Sequence, residues 1–268
     1  MGMKDGLGDR MKLYEGIESD RILLPRLPIC ARLDGRAFHT FARGLNRPYD
    51  ERLSSMMIET TKYLVETTHA LIGYTQSDEI SLIFAPSDKK SESFFGGRPM
   101  KMASVLASIA TAKFNDMRAT LLPKKQLATF DCRIWNVPSL DEAANTLLWR
   151  EWDASKNSIS MAASAYYSPS QLHGKNGSEK QEMLHQVGVN WNDYPAFFKR
   201  GSYIRRESFT RGFTADELSK LPEKHAAKLN PGLLITRSEV REIDMPIFSK
   251  VINRNGVIFF GESPTVES

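Results

Sequence analysis

Two strand-like runs, residues 71–75 and 80–85, stand four polar residues apart, and a gap that short joins two strands only as a hairpin. Those four are Gln76-Ser77-Asp78-Glu79, so the predicted tip carries two adjacent carboxylates. A third carboxylate closes another predicted strand. Over residues 28–34, Ile29, Ala31 and Leu33 alternate with Cys30, Arg32 and Asp34, a period-two pattern that puts Asp34 at the strand end beside Gly35, where the backbone can turn. Between these strands Asp50 is the predicted N-cap of a helix with Leu53, Met56, Met57, Leu64 and Leu71 along one face and Thr60 and Thr61 filling its middle. A second helix is predicted from near Arg98 to about Arg118, where Met102, Val105, Leu106, Ile109 and Ala110 keep helical spacing. A strand over residues 127–137, containing Asp131, follows. The predicted order is β-α-β-β-α-β, an α+β ferredoxin-like unit, with further helices and a C-terminal extension appended to it.

The chain is long enough to enclose a large core, with 268 residues of which 41% are hydrophobic. No apolar run approaches the roughly 20 residues of a membrane-spanning helix, and the charged first 20 residues lack a leader's apolar stretch. No membrane partner and a cytoplasmic location are therefore expected. Cys30 and Cys132 both fall in strand-like runs, which predicts buried free thiols. A net charge of +4 and a pI near 9.0 permit a nucleic-acid partner without demanding one.

Carboxylates brought together from separate strands raise one another's pKa, and a divalent cation relieves the repulsion. Two Mg²⁺ ions held this way are a known solution for phosphoryl and nucleotidyl transfer, and the ferredoxin-like unit also underlies the palm of nucleotide polymerases. The residues alone equally allow Asp34 and Asp78 to be turn formers, since Asp-Gly and Ser-Asp are ordinary turn chemistry. Basic residues gather nearby in Arg36 and in the turn Arg43-Gly44-Leu45-Asn46-Arg47-Pro48. Arg98 and Lys101 open the second helix against its dipole, so they are either solvated or facing a bound anion.

Farther on, Ser139-Leu140-Asp141-Glu142 is a capping box opening a helix that extends through Asn157 towards Tyr166, its polar face formed by Arg150, Asp153, Lys156, Asn157 and Ser160. The glycine-punctuated stretch 172–177, with Lys175, is loop-like, and Ser178 is the predicted cap of a short helix ended by Gly188. Residues 203–207 read as a strand, Thr214 as another helix cap, and 233–236 and 257–260 as short strands. Lys220, Lys224 and Lys228 are spaced for one helix face, either solvated or meeting RNA phosphates. Residues 1–27 read as a polar, irregular arm.

Taken together these motifs resemble the tRNA-His guanylyltransferase family, whose members add nucleotides in the 3′-to-5′ direction to the 5′ end of tRNA. The resemblance rests on Arg32-Leu33-Asp34-Gly35-Arg36 with Phe38, on Gln76-Ser77-Asp78-Glu79, on Lys101, Phe130-Asp131 and Trp149-Arg150, and on the stretch from Leu172 to Gly201. It implies a palm-like nucleotidyltransferase domain over 28–207 between the arm 1–27 and an extension 208–268. In that domain Asp34, the Gly35 carbonyl and Asp78 hold two Mg²⁺ ions, with Glu79 assisting as a third catalytic carboxylate. It further implies nucleoside triphosphate substrates, GTP and ATP, met by Arg32, Arg36, Arg47, Ser77, Arg98 and Lys101; tRNA met by Arg150, Lys156, Asn157 and Lys175; and a homotetramer. Eukaryotic members specific for tRNA-His carry His-x-Asn-Asn where this chain has Ser155-Lys156-Asn157-Ser158. The departure is similar to the Thg1-like branch, which favours template-dependent repair of truncated 5′ ends. The alternatives are tRNA-His-specific guanylylation, a nucleotidyl cyclase-like palm, and a non-catalytic RNA-binding protein on the same fold.

Overall fold

The computed structural model describes residues 6–86, 93–230 and 232–267. Its first half runs α1 (Gly6–Ser19), β1 (Ile29–Gly35), α2 (Phe38–Phe41), α3 (Glu51–Thr68), β2 (Ile72–Gln76), β3 (Glu79–Phe84), α4 (Pro99–Leu121), β4 (Phe130–Asn136) and α5 (Leu140–Ser164). The second half adds α6 (Pro169–Leu172), α7 (Gly177–Gln186), α8 (Ala196–Arg200), β5 (Ser202–Gly212), α9 (Ala215–Lys220), α10 (Ala226–Leu229), β6 (Leu234–Ile243) and α11 (Arg254–Phe259). The strands form one six-stranded antiparallel sheet in the order β4-β1-β3-β2-β5-β6. Among the described residues no helix is long and apolar enough to cross a membrane.

The alternation in β1 divides the core. Ile29, Ala31 and Leu33, with Ile80, Leu82 and Phe84 of β3, pack under α3 and α4 against Met56, Met57, Leu64, Met102, Leu106 and Phe114. On the opposite face Cys30, Ile72, Tyr74, Ile83 and Tyr203 pack under α5 and the C-terminal segment, against Leu147, Phe248, Val257 and Ile258. Asp50 starts α3 by accepting from the Arg52 amide, and His69, at φ 57°, stops it at Thr68. Leu71 therefore lies beyond the helix whose stripe it was expected to complete.

Several local expectations are corrected. The arm is helical over Gly6–Ser19, with no buried residue. Residues 257–260 belong to α11 and its end, with Val257 and Ile258 buried and Phe260 71% exposed; a four-residue apolar run is too short to distinguish a strand from a helix turn. The N-cap of α7 is Asn176, in a reciprocal box with Glu179, because Asn176/Glu179 and Ser178/Gln181 both match the three-residue spacing and the first pair wins. β5 runs through residue 207 to Gly212 and pairs along its length with β6, so the sheet continues into the C-terminal part. Beyond Arg205 neither strand buries a side chain, which leaves little apolar period to read.

Candidate active site

β1 ends at the site because Gly35 turns tightly over Phe38: a Cβ at residue 35 would lie 2.4 Å from the Phe38 ring. The Gly35 amide donates to the Asp78 carbonyl at 3.0 Å, fastening this strand end to the β2–β3 turn. That turn is only two residues, Ser77 and Asp78, since Gln76 and Glu79 already pair across it. Ser77 takes the left-handed backbone, φ 55°, that two-residue hairpins need. The consequence separates two neighbouring carboxylates: Asp78 stays on the tip, while Glu79 becomes the first residue of β3.

Register then aligns Asp34 with Glu79 on one side and with Asp131 of β4 on the other. Asp131 is exposed, 3.8 Å from Arg133, and is not among the residues lining the cavity beside Asp34. The Ser77 hydroxyl donates to Asp78 Oδ1 at 2.9 Å. Burial pushes the Asp78 carboxyl up from its ordinary range, Ser77 opposes, and the charge of Asp34 adds to the rise. Glu79 is also pushed up by burial, against the pull of the Arg150 and Arg32 guanidiniums. Arg150 forks onto Glu79: Nε donates to Oε1 and Nη2 to Oε2 at 2.8 Å, and Nη2 also donates to Asp153 Oδ2 at 2.9 Å. Asn157 donates to that same Asp153 oxygen at 3.1 Å. The Trp149 ring carries both the Arg150 guanidinium, at 4.5 Å, and that of Arg32, at 5.4 Å.

These residues wall a cavity of about 770 Å³. Asp34, Ser77, Asp78 and Glu79 form one side; Arg150, Asp153, Asn157 and Ser160 of α5 form the second; His39, Arg43, Asn46 and Arg47 form the third. Hard carboxylate oxygens at Asp34 and Asp78, with no cysteine in the cavity lining, suit Mg²⁺, which takes one or two carboxylates and completes its shell with water and phosphate. No group of three or more His, Cys, Asp or Glu able to hold a metal occurs among the described residues.

Of the sequence-predicted nucleotide contacts, Arg47 and Ser77 line the cavity. Arg32 lies behind it, 4.0 Å from Glu79, and Arg36 is exposed just past β1. Arg98 and Lys101 are not brought here. α4 starts where Phe84 ends β3 and stacks on Phe94, at the far end of the sheet from Asp34, and Lys101 rests over Phe95 at 5.0 Å. Among the residues expected to meet tRNA, Arg150 and Asn157 line the cavity, Lys156 is turned outward, and Lys175 pairs with Glu179 at 3.1 Å. Sequence reasoning named the basic turn of Arg43 and Asn46 without giving either a role, and missed His39, Ser164 and the role of Arg150 as partner of Glu79. For α5 the helical spacing of 150, 153, 157, 160 and 164 was the available signal, with Lys156 one position off that line.

The model of the family described as tRNAHis guanylyltransferase matches residues 8–138. The tRNA(His) guanylyltransferase of Saccharomyces cerevisiae is 30% identical over 210 residues, 71% of this chain and 87% of that protein. This chain belongs to the tRNA(His) guanylyltransferase family. Two solved structures of a bacterial tRNA(His) guanylyltransferase (Thg1)-like protein extend the likeness across nearly the whole molecule. The one in complex with ATP has a TM-score of 0.79 at 38% identity, covering 95% of this chain and 98% of that one. The one in complex with GTP has a TM-score of 0.71 at 35% identity, covering 94% and 97%. The end of β1 and the β2–β3 turn, both within the matched residues 8–138, meet at the cavity.

Proposed function

We propose that this protein is a nucleotidyltransferase that adds nucleotides to the 5′ end of tRNA, in the 3′-to-5′ direction and directed by the opposing strand. The observation that carries this reading is that Asp34 and Asp78, from two separate segments, line one cavity of about 770 Å³ together with Arg43 and Arg47. The βαββαβ connectivity with sheet order β4-β1-β3-β2 supports a palm-like core. Asp34, the Gly35 carbonyl and Asp78 would hold two Mg²⁺ ions, which supply activation of the attacking 3′-hydroxyl and stabilisation of the leaving phosphate.

The chain's own residues do the rest. Ser77 fixes the rotamer of Asp78. Burial and the Asp34 charge both disfavour the ionised Asp78 carboxyl, so cation binding relieves a repulsion already built into the turn. Arg43 and Arg47 line the same cavity, where cationic donors suit a triphosphate, and His39 lies beside them in its lining. On α5, Asn157 and Ser160 offer neutral hydrogen bonds, and Ser155 stands where tRNA-His-specific relatives place histidine; this favours an RNA end chosen by base pairing over one chosen by identity.

The test is incubation of the purified protein with Mg²⁺, four nucleoside triphosphates and a tRNA lacking its first 5′ nucleotide. Extension should follow whichever base is placed opposite. Guanosine added only to tRNA-His would replace templated repair by the narrower activity. Failure on both 5′-monophosphate and 5′-triphosphate ends would refute the transferase reading.

A further inference from the structure

Glu79 sits in line with Asp34 and one residue from Asp78, yet its two carboxylate oxygens are already engaged by the fork of Arg150. We propose that Arg150 is a positioning residue that keeps Glu79 from ligating metal, leaving a two-carboxylate site; this rests on the metal-dependent reading above. Arg150 is not free to let go. Asp153 holds Nη2 from the next turn of α5, and the Trp149 ring lies against the guanidinium. A bidentate guanidinium–carboxylate pair is the strongest and most directional of the side-chain ion pairs, and Arg150 is only 11% exposed. The Asp34 side chain, by contrast, makes no hydrogen bond or ion pair among the described residues, and the only other side chain bonded to the Asp78 carboxylate there is the Ser77 hydroxyl.

Charge counting gives the consequence. Glu79 and Asp153 are matched by Arg150 and Arg32, so this cluster offers the cavity no net charge, and the attraction for cations comes from Asp34 and Asp78. Coordination positions that a third carboxylate would occupy stay available to substrate oxygens. Arg150 is then unsuited to clamping a phosphate of tRNA, since two carboxylates already satisfy it.

The test keeps the charge balanced. Mn²⁺ binding to the full chain with GTP present is measured by titration and by water-proton relaxation for wild type, D34N, R150Q and the double variant E79Q/R150Q, each checked for an unchanged melting transition. The double variant should match wild type within about twofold, because neither residue is a ligand and the net charge is kept, while D34N should lose binding. R150Q alone, with Glu79 released, should bind about tenfold more tightly and with fewer exchanging waters, as expected for one carboxylate freed beside the cation. Rescue by R150K should be incomplete, since an ammonium cannot fork. A double variant as weak as D34N, or an R150Q no tighter than wild type, overturns the proposal. Wild type that binds no Mn²⁺ overturns the metal-dependent reading and this inference with it.

Discussion

The two faces of the sheet are built on different physics. Under α3 and α4 the buried groups are apolar, and the hydroxyls of Thr60 and Thr61 close onto carbonyls of their own helix. Under α5 the core contains Glu151, 2% exposed, accepting from the Tyr203 hydroxyl at 3.0 Å and the Phe248 amide at 2.8 Å. It also contains Arg205, 5% exposed, donating to the carbonyls of Val257 and Glu262. Apolar burial is non-directional and tolerates small shifts, whereas each buried charge must meet a particular partner. The polar face therefore fixes α5 against the strands, and Glu151 stands next in sequence to the Arg150 that grips Glu79. The face with the more demanding packing is the one that carries the site.

The largest effect should come from Asp34→Ala or Asp78→Ala, each lowering nucleotide addition at least about 10³-fold, or ~4 kcal/mol of transition-state stabilisation. Melting curves should stay close to wild type; substantial retained turnover would remove these residues from the mechanism. On the apolar face, Leu106→Ala opens a cavity under α4 and should cost about 2–5 kcal/mol in urea unfolding. The folded variant should keep its Mn²⁺ affinity, and a parallel loss would show that the two faces are not independent.

Glu151→Gln should cost roughly 1–3 kcal/mol near neutral pH, because one amide end cannot accept from Tyr203 as the carboxylate does. The pH dependence has a definite sign. Burial raises the Glu151 carboxyl above its ordinary value, so the folded state binds the proton more readily than the unfolded chain, and this residue's contribution declines as pH rises from the unfolded to the folded pKa. The Gln variant should gain on wild type over that window; a difference that stays flat with pH would mean the carboxyl titrates normally.

Asp50 is the exception on the apolar side and should show the smallest effect. It is 3% exposed, and its carboxyl is lowered from 3.8 to about 2, first by the Arg52 guanidinium hydrogen bond. Asp50→Asn keeps a cap acceptor and should cost up to about 1 kcal/mol through the lost charge of the Arg52 pair. The wild-type advantage should be complete above pH 3.8 and vanish as pH falls through about 2. An advantage persisting below that range would assign it to packing alone.

Much of this was legible in the sequence where spacing is local. The β1 alternation, the hairpin with Asp78 at its tip, the Asp50 and Ser139 caps and the helical stripe of α4 each depend on residues a few positions apart. The extent of β5 and β6 was not, since beyond Arg205 their pairing is made by backbone bonds between segments with no buried side chain. Nor was the helix of the arm, where Leu7, Met11 and Tyr14 keep helical spacing in a charged segment that buries none of its residues.

By itself, then, the sequence determined that Asp34 closes a strand and that Asp78 sits on a hairpin tip, because alternation and turn propensity act within a few residues. Only the tertiary structure decided that Arg150 faces Glu79 across 71 residues of chain, that Arg98 and Lys101 lie at the far end of the sheet, and that a buried glutamate anchors α5 to the C-terminal segment. These are long-range pairings of charge, and a charge in a sequence carries no mark of the partner it will meet when the sheet closes.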